Sequence, residues 1–120
     1  MRKKNPAIMD LISMDKNKKY GLTKDSTRAI ISVLSENQRI DKVILFGSRA
    51  KGENESGSDI DLALLGEKLN LDDILNARIE LDEILFPYKT DLVIYERIKE
   101  KELKEHIDRV GIVLYERGNK

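Results

Sequence analysis

The stretch FGSRAKGENESGSDIDLALL, Phe46 to Leu65, decides how the rest of the chain is read. Between two apolar runs it sets a Gly-Ser turn, two cations and a pair of aspartates one residue apart. Folding alone asks for none of this, because a strand that opens on "SDID" would be more stable with apolar side chains in place of the carboxylates. In "DIDLALL" the period is two, so Ile60, Leu62 and Leu64 share one face while Asp59 and Asp61 share the other. Both carboxylates therefore point the same way.

The flanking sequence supplies the frame. Just upstream, "KVILF" (Lys42 to Phe46) is a short apolar run rich in β-branched residues, the pattern of a strand covered on both faces, and Gly47 ends it. Before it, a helix is predicted with Thr23 as N-cap, Asp25 in its first turn, and Ile30, Ile31 and Leu34 on its inner face, fading near Asn37. Downstream, Asn70 reads as an N-cap with Asp73 at the third helical position. The helix it opens carries Leu71, Ile74, Leu75, Ile79 and Leu85 as a stripe expected to pack on the sheet, and Pro87 stops it. "TDLVIY" is a third strand opened by Asp91, and Tyr95 is read as a packing or rim residue, its place on the Asp91 face leaving a position bordering the site as the alternative. A helix from about Glu100 to Val110, with Leu103, Ile107 and Val110 inside, then leads through Gly111 into a closing edge strand, "IVLYE". The only histidine, His106, sits on this Lys/Glu-rich helix and reads as solvent-facing. Strands alternating with helices predict an α/β sandwich on one central sheet.

Asp59, Asp61 and Asp91 thus open two strands that are expected to be neighbours. If those strands pair, three carboxylates converge; they repel one another and carry raised pKa values unless a hard cation such as Mg²⁺ neutralises them. Magnesium held by few carboxylates keeps positions that substrate phosphates fill, and two such ions suit an in-line displacement. The turn is the complementary half. Gly47 allows close backbone approach, and the Ser48 hydroxyl with the following N–H groups can donate to phosphate oxygens. Arg49 and Lys51 are candidates to add charge there, although for Lys51 a surface cation is an equal alternative. An aspartate before a strand also commonly just ends a turn, so Asp91 rests on the composite pattern.

That composite, "GSRAKG" then "SDIDL" then the acidic residue in "TDLVI", resembles the DNA polymerase beta-like nucleotidyltransferase superfamily. The likeness runs from about Gly21 to Glu116 and is closest to the minimal nucleotidyltransferases, small stand-alone domains. The resemblance implies a small mixed central sheet with helices packed on it. It also implies that Gly47 and Ser48 hold the triphosphate, Asp59 and Asp61 bind two Mg²⁺ ions, and Asp91 ligates one ion and helps activate the acceptor. Minimal domains of this kind are usually antitoxins of a helical HEPN-domain RNase, and some transfer AMP from ATP to a tyrosine of that toxin. The resemblance therefore implies an ATP-using protein adenylyltransferase, working in a hetero-oligomer with its HEPN partner. The alternatives are an antitoxin that neutralises by occlusion, or a nucleotidyltransferase acting on RNA ends or a small molecule.

Composition narrows the setting. At 120 residues the chain is expected to form one domain, 21–117, preceded by an arm at 1–20 in which Lys, Asn and Asp mix with a brief apolar patch. Lys+Arg and Asp+Glu balance at 22 each, which argues against long nucleic acid or an anionic membrane as partner. With no cysteine, disulfides and thiolate metal sites are excluded. No apolar run reaches the ~18 residues of a membrane span and no signal peptide is visible, so the expected location is the cytoplasm.

Overall fold

The structure, a computed structural model, describes residues 21–52 and 59–118. The expected arm at 1–20 and the whole "ENESGS" segment, 53–58, lie outside the described residues. In chain order the elements are α1 (Lys24–Ser35), β1 (Lys42–Phe46), α2 (Gly47–Lys51), β2 (Ile60–Leu65) and α3 (Leu71–Leu85). After these come β3 (Thr90–Ile94), a 3-10 turn (Tyr95–Arg97), α4 (Lys101–Val110) and β4 (Ile112–Glu116). The strands form one mixed sheet in the order β3-β2-β1-β4. β1 runs antiparallel to both β2 and β4, and β2 runs parallel to β3.

Alternation sorts each strand onto two unequal layers. Val43 and Leu45 of β1, Ile60, Leu62 and Leu64 of β2, and Leu92 and Ile94 of β3 face the main core. There they meet Ile30 and Leu34 of α1 and Ile74, Ala77, Leu81 and Leu85 of α3. Phe46 and Ala63 face the other way, onto a small cluster closed by Ile107 of α4. Burying a Leu or Ile side chain is worth about 1.5–3 kcal/mol, so the α1/α3 layer dominates stability while the α4 layer is thin. A thin layer leaves that sheet face accessible at its end.

Local chemistry sets the helix ends. Thr23 accepts from the Ser26 N–H at 3.0 Å and starts α1. Asn70 and Asp73 form a reciprocal capping box at α3, each side chain accepting the other's backbone N–H. Gly111 stops α4 with an ordinary negative φ of −63°. Its need is space, because a Cβ there would lie 2.5 Å from Ile44 Cγ2 and 2.4 Å from the Ile107 carbonyl oxygen.

One expectation about α3 is corrected. Its buried face is Ile74, Ala77, Leu81 and Leu85, whereas Leu71, Leu75 and Ile79 are exposed. The helix carries apolar residues on two faces, and periodicity alone could not say which one the sheet takes. Among the described residues no helix is long and apolar enough to cross a membrane.

Candidate active site

The site lies at the end of the sheet where β1 finishes and β2 and β3 begin. In the ladder Phe46 is opposite Asp61, and Asp61 is opposite Asp91. Adjacent strands lie about 4.8 Å apart, so one row across the sheet reads turn, carboxylate, carboxylate. Asp59 precedes β2 and is exposed, Asp61 is half-buried, and Asp91 is exposed.

Gly47 is the hinge of this row. Its φ is +78°, a conformation L side chains rarely adopt. A Cβ built on it would fall 2.1 Å from Asp61 Oδ2. Only glycine lets the β1–α2 turn press against the carboxylate. Ser48 follows, half-buried, in the first turn of the short α2.

Electrostatics single out Asp61. Burial pushes its carboxyl up to about 6, the neighbouring charges of Asp91 and Asp59 push in the same direction, and Arg49 pulls back. Asp59 and Asp91 are thus both within electrostatic reach of Asp61. Among the described residues no three His, Cys, Asp or Glu groups form a ready-made cation cage. The donor set nonetheless fits a hard divalent cation: oxygen-only groups at and just before the starts of two adjacent strands, with a like-charge repulsion, only partly offset by Arg49, that such a cation relieves.

The two basic residues of the motif are placed differently. Arg49 is 2% exposed; its Nη1 donates to the Gly21 carbonyl at 3.0 Å and its guanidinium lies 5.3 Å from the Tyr88 ring centre. Its charge acts inward, on Asp61. Lys51, at the end of α2, is exposed.

A groove of about 450 Å³ opens beside the carboxylates, between the end of α3 and the start of β3. Asp59 and Asp91 line it together with Arg78, Asp82, Phe86 and Lys89. Phe86 is 69% exposed. In the sheet row, Asp91 of this groove and the Phe46–Gly47 turn lie on opposite sides of Asp61.

One alternative drops out and one expectation is corrected. Tyr95 does not border the site: it lies past the other end of β3, where its hydroxyl donates to Asp108 at 2.7 Å. His106 is not solvent-facing. Half-buried, its Nε2 accepts the Gly47 N–H at 3.2 Å, and its ring meets Phe46 edge-on, 6.2 Å between centres at 79°. The signal was in the spacing, since His106 is three residues after Leu103 and four before Val110, at the rim of the apolar stripe.

A mixed four-stranded sheet, a Gly-Ser turn closing one strand and acidic residues opening the next two define a nucleotidyltransferase-type domain. The family model for polymerase beta nucleotidyltransferases matches residues 28–120, and the chain belongs to that family. Among solved structures it is similar to a toxin-antitoxin with AMP-PNP, at 26% identity and TM-score 0.65, over 75% of this chain and 73% of that one. It is also similar to a minimal nucleotidyltransferase, at 27% identity and TM-score 0.59, over 82% and 98% of the two chains. The fold is shared with a complex of MNT antitoxin and tri-AMPylated HEPN toxin from Shewanella oneidensis, at 22% identity and TM-score 0.62, over 78% and 71%. Among curated proteins nothing matches the sequence.

Proposed function

We propose that the domain, residues 21–117, is a magnesium-dependent nucleotidyltransferase that moves AMP from ATP to a tyrosine hydroxyl of a HEPN-domain RNase toxin, and so acts as its antitoxin in the cytoplasm. The observation that carries this reading is Asp61 set between the Phe46–Gly47 turn and Asp91, with its carboxyl raised to about 6 by burial and its acidic neighbours. A carboxylate kept at such a disadvantage is characteristic of a site built for a cation. Kinship with the AMP-PNP-bound toxin-antitoxin supports both the nucleotide and the partner class.

The roles follow from position. Gly47 and Ser48 would hold the triphosphate, with Lys51 at the rim. Asp59, Asp61 and Asp91 would hold two Mg²⁺ ions, which supply positive charge to the attacking and leaving oxygens. Arg49 tunes Asp61 from inside. The acceptor hydroxyl attacks the α-phosphorus, a P–O bond forms to the acceptor, the bond to the β-phosphate oxygen breaks, and pyrophosphate leaves. The hydroxyl proton passes to the Asp91 carboxylate and then to water. In-line displacement requires nucleophile and leaving group on opposite sides of phosphorus. With pyrophosphate on the turn side, the acceptor enters from the groove side, where the exposed Phe86 ring can stack on an aromatic residue.

The test is intact-mass analysis of a co-expressed HEPN partner after incubation with ATP and Mg²⁺, alongside the Asp59→Asn/Asp61→Asn double variant. Added AMP units that vanish in the variant are the expected result. A stable complex that neutralises the toxin with no mass change would favour occlusion through the apolar face of Leu71, Leu75 and Ile79.

A further inference from the structure

We infer that His106 is a positioning residue for the Gly47–Ser48 turn, orienting the nucleotide-binding peptide from α4. The inference rests on the reading of that turn as the triphosphate holder.

The argument starts in the thin layer of the sheet. Ile107, 1% exposed, plugs the cluster of Phe46 and Ala63 and anchors α4 against β1 and β2. One residue earlier, His106 emerges at the rim of that plug. Phe46 meets its ring at 79°, which restricts how the imidazole can turn. Nε2 then reaches the Gly47 N–H at 3.2 Å. Because Nε2 is the acceptor, the ring proton is on Nδ1.

What this bond controls follows from the backbone of Gly47. At φ +78° Gly47 is free of the steric walls that fix other residues, so the Phe46–Gly47 peptide is restrained by the β1 ladder at Phe46 and by the partner its N–H meets, not by a side chain at Gly47. Rotation would exchange the N–H for the carbonyl oxygen and re-aim the Ser48 hydroxyl and the amides after it. On one side Gly47 abuts Asp61 Oδ2. On the other, an acceptor for its N–H adds to the ladder pairing of Phe46 in keeping the peptide from turning, and His106 is that acceptor. The turn is held between the carboxylate that the phosphates approach and an imidazole they do not need to touch. Preorganisation of this kind lowers the ordering cost of binding and leaves the chemical step alone.

The prediction is a split between affinity and turnover. His106→Leu, which keeps bulk and removes the acceptor, should weaken Mg²⁺–AMP-PNP binding by roughly five- to tenfold, the range of one net hydrogen bond. Turnover at saturating ATP should change less than about twofold. Glutamine carries an acceptor near the place of Nε2 and asparagine does not reach it, so His106→Gln should recover most of the affinity and His106→Asn should not. The measurements are calorimetric titration with AMP-PNP, steady-state transfer, and thermal melting of all four proteins. ¹⁵N NMR of the imidazole in the nucleotide-free protein should report the Nδ1–H tautomer. Equal affinity in wild type and His106→Leu, or a loss in His106→Gln and His106→Leu alike that tracks a fall in Tm, overturns the inference. If the wild type itself fails to bind AMP-PNP, the reading of the turn fails and the inference with it.

Discussion

Two aspartates twelve positions apart, Asp61 and Asp73, experience opposite environments. Asp73, 5% exposed at the start of α3, accepts from Arg39 Nε and Nη2 at 3.1 and 2.9 Å, from Asn37 Nδ2 at 3.0 Å and from the Asn70 N–H at 2.9 Å. The Arg39 guanidinium leads in holding its carboxyl down to about 2, with the Asn70 and Asn37 bonds adding to it. Asp61 is half-buried at the start of β2 with Asp91 and Asp59 as acidic neighbours, and burial first, then those charges, push its carboxyl up to about 6. One charge is satisfied by the fold and stabilises it. The other is opposed by two like charges that Arg49 only partly offsets, and none of the hydrogen bonds among the described residues reaches it. Structural and functional carboxylates are separated by what surrounds them, not by residue type.

The sharpest way to break this comparison is to neutralise each in turn. Asp61→Asn should lower AMP transfer on the order of 10³-fold while the protein stays folded, as removal of a group that stabilises developing charge does. Asp73→Ala should leave transfer per folded molecule within about twofold. Equal losses in both would erase the distinction. Next in size is Gly47→Ala, which introduces a left-handed strain of about 1 kcal/mol and drives a methyl into Asp61 Oδ2, so transfer should fall by about 10²-fold. Gly52 is the matched control: its φ is also +78°, but a Cβ there meets nothing within 4 Å. Gly52→Ala should therefore carry the strain without the functional loss.

Smaller effects concern stability. Asp73→Ala removes half of a capping box and a bidentate ion pair, and should destabilise by about 2 kcal/mol, lowering Tm by roughly 10 °C. Its carboxyl is depressed in the fold, so this contribution is complete above the unfolded value near 4 and fades as pH falls toward 2. For Asp61 the sign reverses. Its raised carboxyl means the folded state loses stability as pH rises from about 4 through about 6. Without metal, Asp61→Asn should therefore melt roughly 2–4 °C above wild type at pH 7.5 and converge with it near pH 4. Mg²⁺ should narrow the gap at pH 7.5 by stabilising wild type alone. A variant that melts below wild type throughout would show that Asp61 is held by donors as Asp73 is.

The parts of the fold legible in the chain were those governed by neighbours along it. The "KVILF" run, the alternation of "DIDLALL", the caps at Thr23 and Asn70 and the halt at Pro87 all act over a few residues, and each element emerged within a residue or two of its expected limits. Less legible was any choice between two nearby faces. In α3, Leu71, Leu75 and Ile79 are as apolar as the residues that were buried, and only the packing of α1 and the sheet decided which row went inside. Tyr95 shared the alternation of Asp91, but the chain leaves β3 in a 3-10 turn at the strand's far end.

The sequence by itself determined the chemistry on offer: a glycine that can turn, a serine beside it, and three carboxylates placed to open two strands. The tertiary structure alone decided what each charge meets. It set Asp61 opposite Asp91 by parallel pairing, turned Arg49 inward beneath Tyr88, and brought His106 to the Gly47 amide across 59 positions of chain. Spacing carries periodicity, which local geometry enforces. A pKa or a long-range hydrogen bond depends on burial and on partners from other elements, and those exist only once the sheet has closed and α4 has packed against it.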